Sequence, residues 1–557
     1  IIPLFEIQHA GWVTVRKRFQ CLLLILTLLA VSLSGCSLPN KELDLSFPVP
    51  EEAKSLDPQI ARLFSERIFA RNAFEGLVTV DSDGKIIPGA AESCTVSDDG
   101  LTYTFKIRES ARWYLTNTAK KALADRLPEN FDTRVTAHDF VFAFRRAVTP
   151  ETACPKAELF LSIKNAAQIL NGEKAAEELG VEAVSDTELR ITLIHPERDF
   201  LRVLTDPVFS PCSEVFFNAC GGRYGLSLKY IICNGPFILF RWNPGGSMRL
   251  TRNTVYSGER TVVPDVVRLF VNPDTASVLE KVTDGDYSAG IITAADARNI
   301  KKPKNLKLTE KTDILWAFVF NSAKAPFSVK EMRKAFVLST NLDSFPVPED
   351  MKGKALSPVP VSIAEAEGLK NPALLSFNEE EARALFKKAQ ADAEKDGAVL
   401  SGFSVLCIKE HEEMLKFQLQ EWQKIFGVNF SVSLIPLERA ELVKRVQSGN
   451  YEAALYPLQP DTADISSYLR SFAVESEDGI YCFNKAFING VERLLSDGFE
   501  GDFKSNAEKL AQILTDEAVV LPVFSQSRFL AVHKAVSGIY FYPSIDDVYF
   551  IKATDKK

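Results

Sequence analysis

Apolar Leu101, Tyr103, Phe105 and Ile107 alternate with polar Thr102, Thr104, Lys106 and Arg108, which predicts a half-buried strand launched by the turn Asp98-Asp99-Gly100. The same period of two at Leu189, Ile191 and Leu193, and at Val428, Phe430, Val432 and Leu434, predicts two further strands. Leu415, Leu419, Trp422 and Phe426 instead fall at helical spacing, and the run stops at Gly427. His411-Glu412-Glu413 opens that helix and reads as its solvated first turn. A second helix is predicted over 437–448, ended by Gly449, and a third carries Leu510, Ile513 and Leu514 before an apolar strand over 519–524. Strands and helices interleave along the whole chain, so the fold class is α/β or mixed α+β.

Breaks in the pattern are equally informative. Asn234-Gly235-Pro236-Phe237 and Asn243-Pro244-Gly245-Gly246 mark chain reversals, residues 345–360 are a Pro-rich loop, and the polar segment 117–134 reads as a surface insertion. Near the start, Arg16-Lys17-Arg18 precedes an apolar run from Cys21 to Val31 broken only by Thr27, then Leu33-Ser34-Gly35-Cys36. A positive block, a short apolar stretch and small residues before a cleavage point describe a secretory signal peptide over 1–35. Leu-Ser-Gly-Cys resembles a bacterial lipobox, which makes Cys36 the lipidated first residue of the mature chain. Residues 36–45 carry Pro39 and read as a tether, and residues 1–12 before the positive block are read as a gene-start artefact or an upstream extension.

Composition narrows the function. The 557 residues carry 65 basic and 73 acidic side chains, and no basic run exceeds Arg16-Lys17-Arg18. That excludes nucleic acid as the main partner, because phosphate binding needs clustered positive charge. No Gly-x-Gly-x-x-Gly, phosphate loop, His-Glu-x-x-His or Gly-x-Ser-x-Gly occurs, so no catalysis and no cofactor are expected. Asp81-Ser82-Asp83-Gly84 opens like a calcium loop but lacks its distal acids and reads as a hairpin turn. After processing, Cys94, Cys154, Cys212, Cys220, Cys233, Cys407 and Cys482 remain, an odd number, and only Cys212 and Cys220 lie close enough to suggest a local bridge. No Cys-x-x-Cys pair points to a metal.

A series of short blocks resembles one known family, the oligopeptide-binding (peptide/nickel) solute-binding lipoproteins of ABC transporters. Ser55-Leu56-Asp57-Pro58, Phe74-Glu75-Gly76-Leu77, Pro88-Gly89-Ala90-Ala91-Glu92 and Val96-Ser97-Asp98-Asp99-Gly100-Leu101-Thr102-Tyr103-Thr104-Phe105 come first. Val135-Thr136-Ala137-His138-Asp139-Phe140 with Arg145-Arg146, then Asn234-Gly235-Pro236-Phe237, Arg252-Asn253, and Asn321 with Ala325-Pro326-Phe327 follow in the family's order. The likeness implies a two-lobed periplasmic-binding-protein-like fold with discontinuous lobes joined by a hinge and an extra subdomain. Mapped onto this chain, it implies lobe I over 46–85, 206–272 and a return segment 517–557, an inserted subdomain over 86–205, and lobe II over 273–516.

It further implies an exported, lipid-anchored monomer on the periplasmic or cell-surface side, handing oligopeptides to an ABC permease in the inner membrane. Alternatives are the same fold serving a dipeptide, a cell-wall peptide, a metal chelate or haem, or a surface lipoprotein in adhesion or signalling. In the family a Trp-x-x-Asp segment follows a Gly-x-Phe/Tyr-Asp strand, and the Asp often receives the peptide ammonium. Here those positions are Gly449-Asn450-Tyr451-Glu452 and Leu458-Gln459-Pro460-Asp461, so the Asp is kept as Asp461 while the Trp is Leu458, and a family Arg is replaced by Leu455. A loop acid of some members corresponds to Arg62, next to Phe64. These departures make the pocket less aromatic and more positive, which points to an acidic ligand or a modified peptide. By the likeness Leu458, Gln459, Pro460, Asp461, Arg62 and Phe64 contact ligand. Read from its neighbours alone, Asp461 is a turn or cap residue, and Asp464 is placed to cap a helix starting at Ile465.

Overall fold

The alternating stretch at Leu101 forms the strand Thr102–Ile107, with Tyr103, Phe105 and Ile107 buried. It pairs antiparallel with Ala91–Val96 and Glu188–Thr192, and Val181–Ser185 completes a four-stranded sheet. The turn behind it forms as expected: Gly100 takes a φ of 69° and Asp99 Oδ1 accepts from Leu101 N at 3.0 Å. The molecule is known from a computed structural model that describes residues 42–555 except 301–304, 349–350, 352, 356, 396–401, 428–430, 460–463, 474–478, 496–501 and 543–545. The expected signal segment, Cys36, Pro460 and Asp461 lie outside the described residues.

A second four-stranded sheet holds Asp44–Val49 parallel to Val266–Val271, followed by Ser247–Arg252 and Phe237–Asn243. Two residues past Val271 begins the segment that runs through the helix Val278–Asp284 into Ala289–Thr293, the first strand of a seven-stranded sheet. The sheets meet where Ser46 N donates to Ser288 Oγ at 3.0 Å and Ser288 N donates to the Ser46 carbonyl at 2.9 Å.

The seven-stranded sheet is the larger element, built on the long strands Leu306–Phe320 and Val520–His533. Sequence patterning ends the last strand near Phe524, because Ser525, Gln526, Ser527 and Arg528 break the apolar run. Pairing carries it further: Thr309 to Thr312 run opposite Leu530 to Ser527. The return segment expected at 517–557 thus opens inside the seven-stranded sheet, and its contacts with the first sheet region come later, as in Asn72 Nδ2 donating to the Val548 carbonyl at 2.8 Å.

Above the seven-stranded sheet the helix Glu412–Phe426 buries Leu415, Leu419 and Trp422 and ends at Gly427 with φ 94°. The helix expected over 437–448 is Arg439–Gln447; it starts later because Leu437 is used by the strand Ser431–Leu437, paired parallel with Gly402–Ile408. Phe336 anchors this side, with its ring 5.0 Å from both Phe403 and Trp422. Phe345, Met351, Ala355 and Val359 of the Pro-rich loop are buried in the same core. The insertion 117–134 carries the short helix Asn117–Ala122, whose N-terminal amide at Ala119 is capped by Thr116 Oγ1 at 3.0 Å. Asp81 accepts from Asp83 N and Lys85 N, at 2.9 and 3.0 Å, inside the hairpin Val78–Val80 and Ile86–Pro88. Cys212 and Cys220 are buried and unbridged, so the suggested local loop closure does not form.

Candidate functional site

The loop before the helix Phe64–Ala73 is organised by one buried carboxylate. Glu66 Oε1 accepts from Lys54 N and Ser55 N, at 2.8 and 3.0 Å, and Oε2 accepts from Arg62 N and Leu63 N, at 2.8 and 3.0 Å. One carboxylate thereby satisfies four backbone donors, two at the helix start and two in the preceding loop. The adjoining Asp57 accepts from Gln59 N at 3.1 Å and pairs with Arg146, whose guanidinium lies 4.2 Å from the Phe217 ring centre. Arg62 Nη2 donates to the Ala153 carbonyl at 2.9 Å, and the Phe64 ring is 6.3 Å from that of Phe47.

One turn further, the helix presents Arg67 and Arg71 to the C-terminal segment. Arg71 Nη2 lies 2.7 Å from Asp547 Oδ1 and Arg67 Nη2 3.5 Å from Asp547 Oδ2. Asn72 fixes the same segment from both sides, donating to Val548 O and accepting from Phe550 N at 3.1 Å. The neighbouring carboxylate, Asp546, faces the seven-stranded sheet instead: Arg528 Nη1 lies 2.6 Å from Oδ1, and Gln459 Nε2 donates to Oδ2 at 3.2 Å. Burial works to raise the Asp546 carboxyl, but the charges of Arg528 and Arg67 and the hydrogen bonds from Arg528 and Gln459 outweigh it and hold it below the usual range. The pair Asp546-Asp547 therefore ties the helix Phe64–Ala73 to the end of the strand Ala453–Leu458.

Leu458 is buried and pairs with Leu315, and Leu455 is fully buried opposite Phe318. Of the residues singled out by sequence, Gln459 reaches the junction, whereas no hydrogen bond or ion pair among the described residues joins Arg62 or Phe64 to Leu458 or Gln459. Asp464 does cap the helix Ile465–Arg470, accepting from Ser467 N at 2.7 Å.

His411 corrects the sequence reading. It is buried, not solvated, with its ring 4.4 Å from Trp316 in an edge arrangement and 5.6 Å from Phe524. Burial, and secondarily the charge of Arg439, push its pKa down to about 4, so the ring is neutral near pH 7. The helix proper starts one residue later, at Glu412, so His411 is its N-cap residue and its ring can turn into the sheet. Trp316 Nε1 donates to Gln526 Oε1 at 2.9 Å, which fixes the indole, and Arg439 lies 5.7 Å from the indole centre. Arg528, Asp546, Arg439 and Trp316 were missed by sequence reasoning. Their spacing of more than two hundred residues from Trp316 to Arg528 leaves no local signal.

A second contact lies between the subdomain stretch and the helix Val361–Glu367. Arg198 Nη2 is 3.5 Å from Glu367 Oε2, and its guanidinium is 3.9 Å from the Phe503 ring centre. Burial, then the charge of Asp464, raises the neighbouring Asp199 carboxyl to about 6. A cavity of about 370 Å³ sits apart from these junctions, lined among others by Phe131, Arg134, His138 and Glu214. Among the described residues, no group of His, Cys, Asp and Glu is placed to hold a metal, and no helix is long and apolar enough to cross a membrane.

Comparison with known proteins adds the following. The family profile described as bacterial extracellular solute-binding proteins, family 5 Middle, matches residues 85–479. The dipeptide-binding protein DppE of Bacillus subtilis is 23% identical over 499 residues, covering 88% of each chain. The periplasmic oligopeptide-binding protein OppA of Haemophilus influenzae is 26% identical over 517 residues, 89% of this chain and 91% of the relative. Listeria monocytogenes OppA, solved bound to peptide, superimposes with a TM-score of 0.72 over 93% of this chain and 100% of its own at 23% identity, a likeness of fold.

Proposed function

The chain belongs to family 5 of the bacterial extracellular solute-binding proteins, and from that premise we propose that it captures oligopeptides between two closing lobes and delivers them to an ABC permease. The observation that supports this reading is the hydrogen bond from Gln459 to Asp546. It sets the end of the strand that resembles the family's ligand-contacting segment against a C-terminal segment pinned to the helix Phe64–Ala73. A ligand at that junction touches both sheet regions, so binding and closure are one event.

In this reading the hinge lies at the two crossings, near 272–288 and after His533, so that the strand Val520–His533 moves with the seven-stranded sheet although the sequence expectation returns the chain to lobe I at 517. A peptide held as an added strand offers backbone groups that any sequence carries, which gives affinity without strict selectivity. Its ammonium is received by Asp461. Closure removes water from that pair and strengthens it. Cys36 carries the lipid that keeps the protein at the membrane, and the chain performs no chemistry on its ligand.

Native mass spectrometry of the protein purified from its own cell tests the reading: co-purified peptide masses are expected, and their replacement by a non-peptide solute overturns it. Calorimetry sharpens it to one residue. Asp461→Asn should weaken binding of free-amine peptides at least about 10-fold, since the partner charge stays desolvated. N-acetylation of the peptide should reproduce that loss in the wild type, and equal binding of acetylated and free peptide would assign Asp461 a structural role.

A further inference from the structure

Arg439 stands out among the charged groups near the junction. It is the first residue of the helix Arg439–Gln447, where the positive end of the helix dipole makes a cation locally unfavourable. Its side chain is solvent-accessible, and no carboxylate lies within ion-pair distance of it among the described residues. What it touches is the face of Trp316, whose indole is in turn locked by Gln526 and by the edge of His411. The charge of Arg528 acts on Arg439, and the carboxylate that serves Arg528 also feels Arg67.

The acids near Arg439 are already engaged or open to water: Asp546 is held by Arg528 and Gln459, Glu438 pairs with Lys409, and Glu410 is exposed. Burial and the charge of Arg528 outweigh the nearby acids and lower the pKa of Arg439, which stays charged. A residue that breaks the local preference of its helix and is braced by an aromatic platform without an ion partner fits a ligand-facing role.

We propose that Arg439, at the start of its helix and over the Trp316 ring, is an anion-accepting subsite of the peptide pocket and selects ligands that place a carboxylate there, from an acidic side chain or from the peptide C-terminus. This rests on the peptide-binding reading above. It adds what that reading leaves open, namely which peptides are preferred. A guanidinium offers two parallel N–H donors at its edge, the geometry that suits a carboxylate.

The test is calorimetry of the full chain against four synthetic pentapeptide pools that differ only in carrying Glu or Gln and a free or amidated C-terminus. Wild type should bind the pool with both carboxylates about 10-fold or more tighter than the pool with neither, the factor expected of one charge-assisted contact. The two mixed pools then identify whether the side chain or the C-terminus is read. Arg439→Gln should erase the preference, Arg439→Lys should keep part of it, and the wild-type preference should shrink with added salt. If wild type binds all four pools alike, or if Arg439→Gln keeps the preference, the subsite is wrong while peptide binding stands. If no pool binds wild type at all, the peptide reading falls and takes the subsite with it.

Discussion

The core of the seven-stranded sheet and the junction at Asp546-Asp547 are held together by opposite means. In the core, Phe318, Phe336 and Trp422 are buried; Phe318 meets Trp422 ring to ring at 5.3 Å, and Phe336 meets Trp422, Phe403 and Phe327 at 5.0 to 5.4 Å. Across the seam the contacts are Arg528 and Gln459 on Asp546 and, at the second contact, Arg198 on Glu367, while Arg67 and Arg71 fix Asp547 on one side of it. Removing an aromatic from a packed core leaves a void that nothing refills, so the loss is large. A polar contact across an opening seam exchanges its partner for water at small net cost. The difference is what the proposed closure needs: each half kept intact by packing, and contacts across the seam that water can replace.

The contrast breaks most visibly in the core. Phe336→Ala should destabilise the fold by about 4 kcal/mol in urea titration, and a loss under about 1 kcal/mol would mean this region is not the rigid half described. Asp547→Ala comes next, at about 3 kcal/mol, because it strands Arg71, which is almost wholly buried. It sits on the rigid side of the seam, so it should lower stability without altering the open-to-closed equilibrium of folded molecules.

How far this division is legible in the chain depends on whether a local period encodes it. The strand Thr102–Ile107 and the helix Glu412–Phe426 follow from the spacing of Tyr103, Phe105 and Ile107 and of Leu415, Leu419 and Trp422. The far end of Val520–His533 does not follow, since Ser525 to Arg528 look like a loop until Leu306–Phe320 pairs with them. His411 was misread for the same reason: its neighbours Glu412 and Glu413 are polar, and only the distant Trp316 reveals its burial. The junction is the least legible part. Gln459 came from the family likeness, but Arg67, Arg528, Arg439 and Asp546 are brought together only by the fold.

His411 offers a smaller, pH-dependent test of the core side. Its folded pKa, about 4, lies below the ordinary value of 6.5, so its contribution is complete above about pH 6.5 and is lost as pH falls toward 4. Wild type should lose on the order of 2 kcal/mol across that window from this group. His411→Gln should show a shallower decline between pH 6.5 and 4, measured by urea midpoints at fixed ionic strength. The smallest effect belongs to the seam: Arg198→Ala should cost under about 1 kcal/mol of stability, because its side chain is 46% exposed. It should nonetheless shift folded molecules toward the open form.

The central claim, that two rigid halves close on a peptide, is tested most directly by small-angle scattering of the full chain with and without a saturating pentapeptide pool. The account predicts a smaller radius of gyration with peptide, while urea midpoints show both halves folded in each state. An unchanged radius at saturation would contradict it, leaving a rigid scaffold in which ligand binding and closure are unconnected.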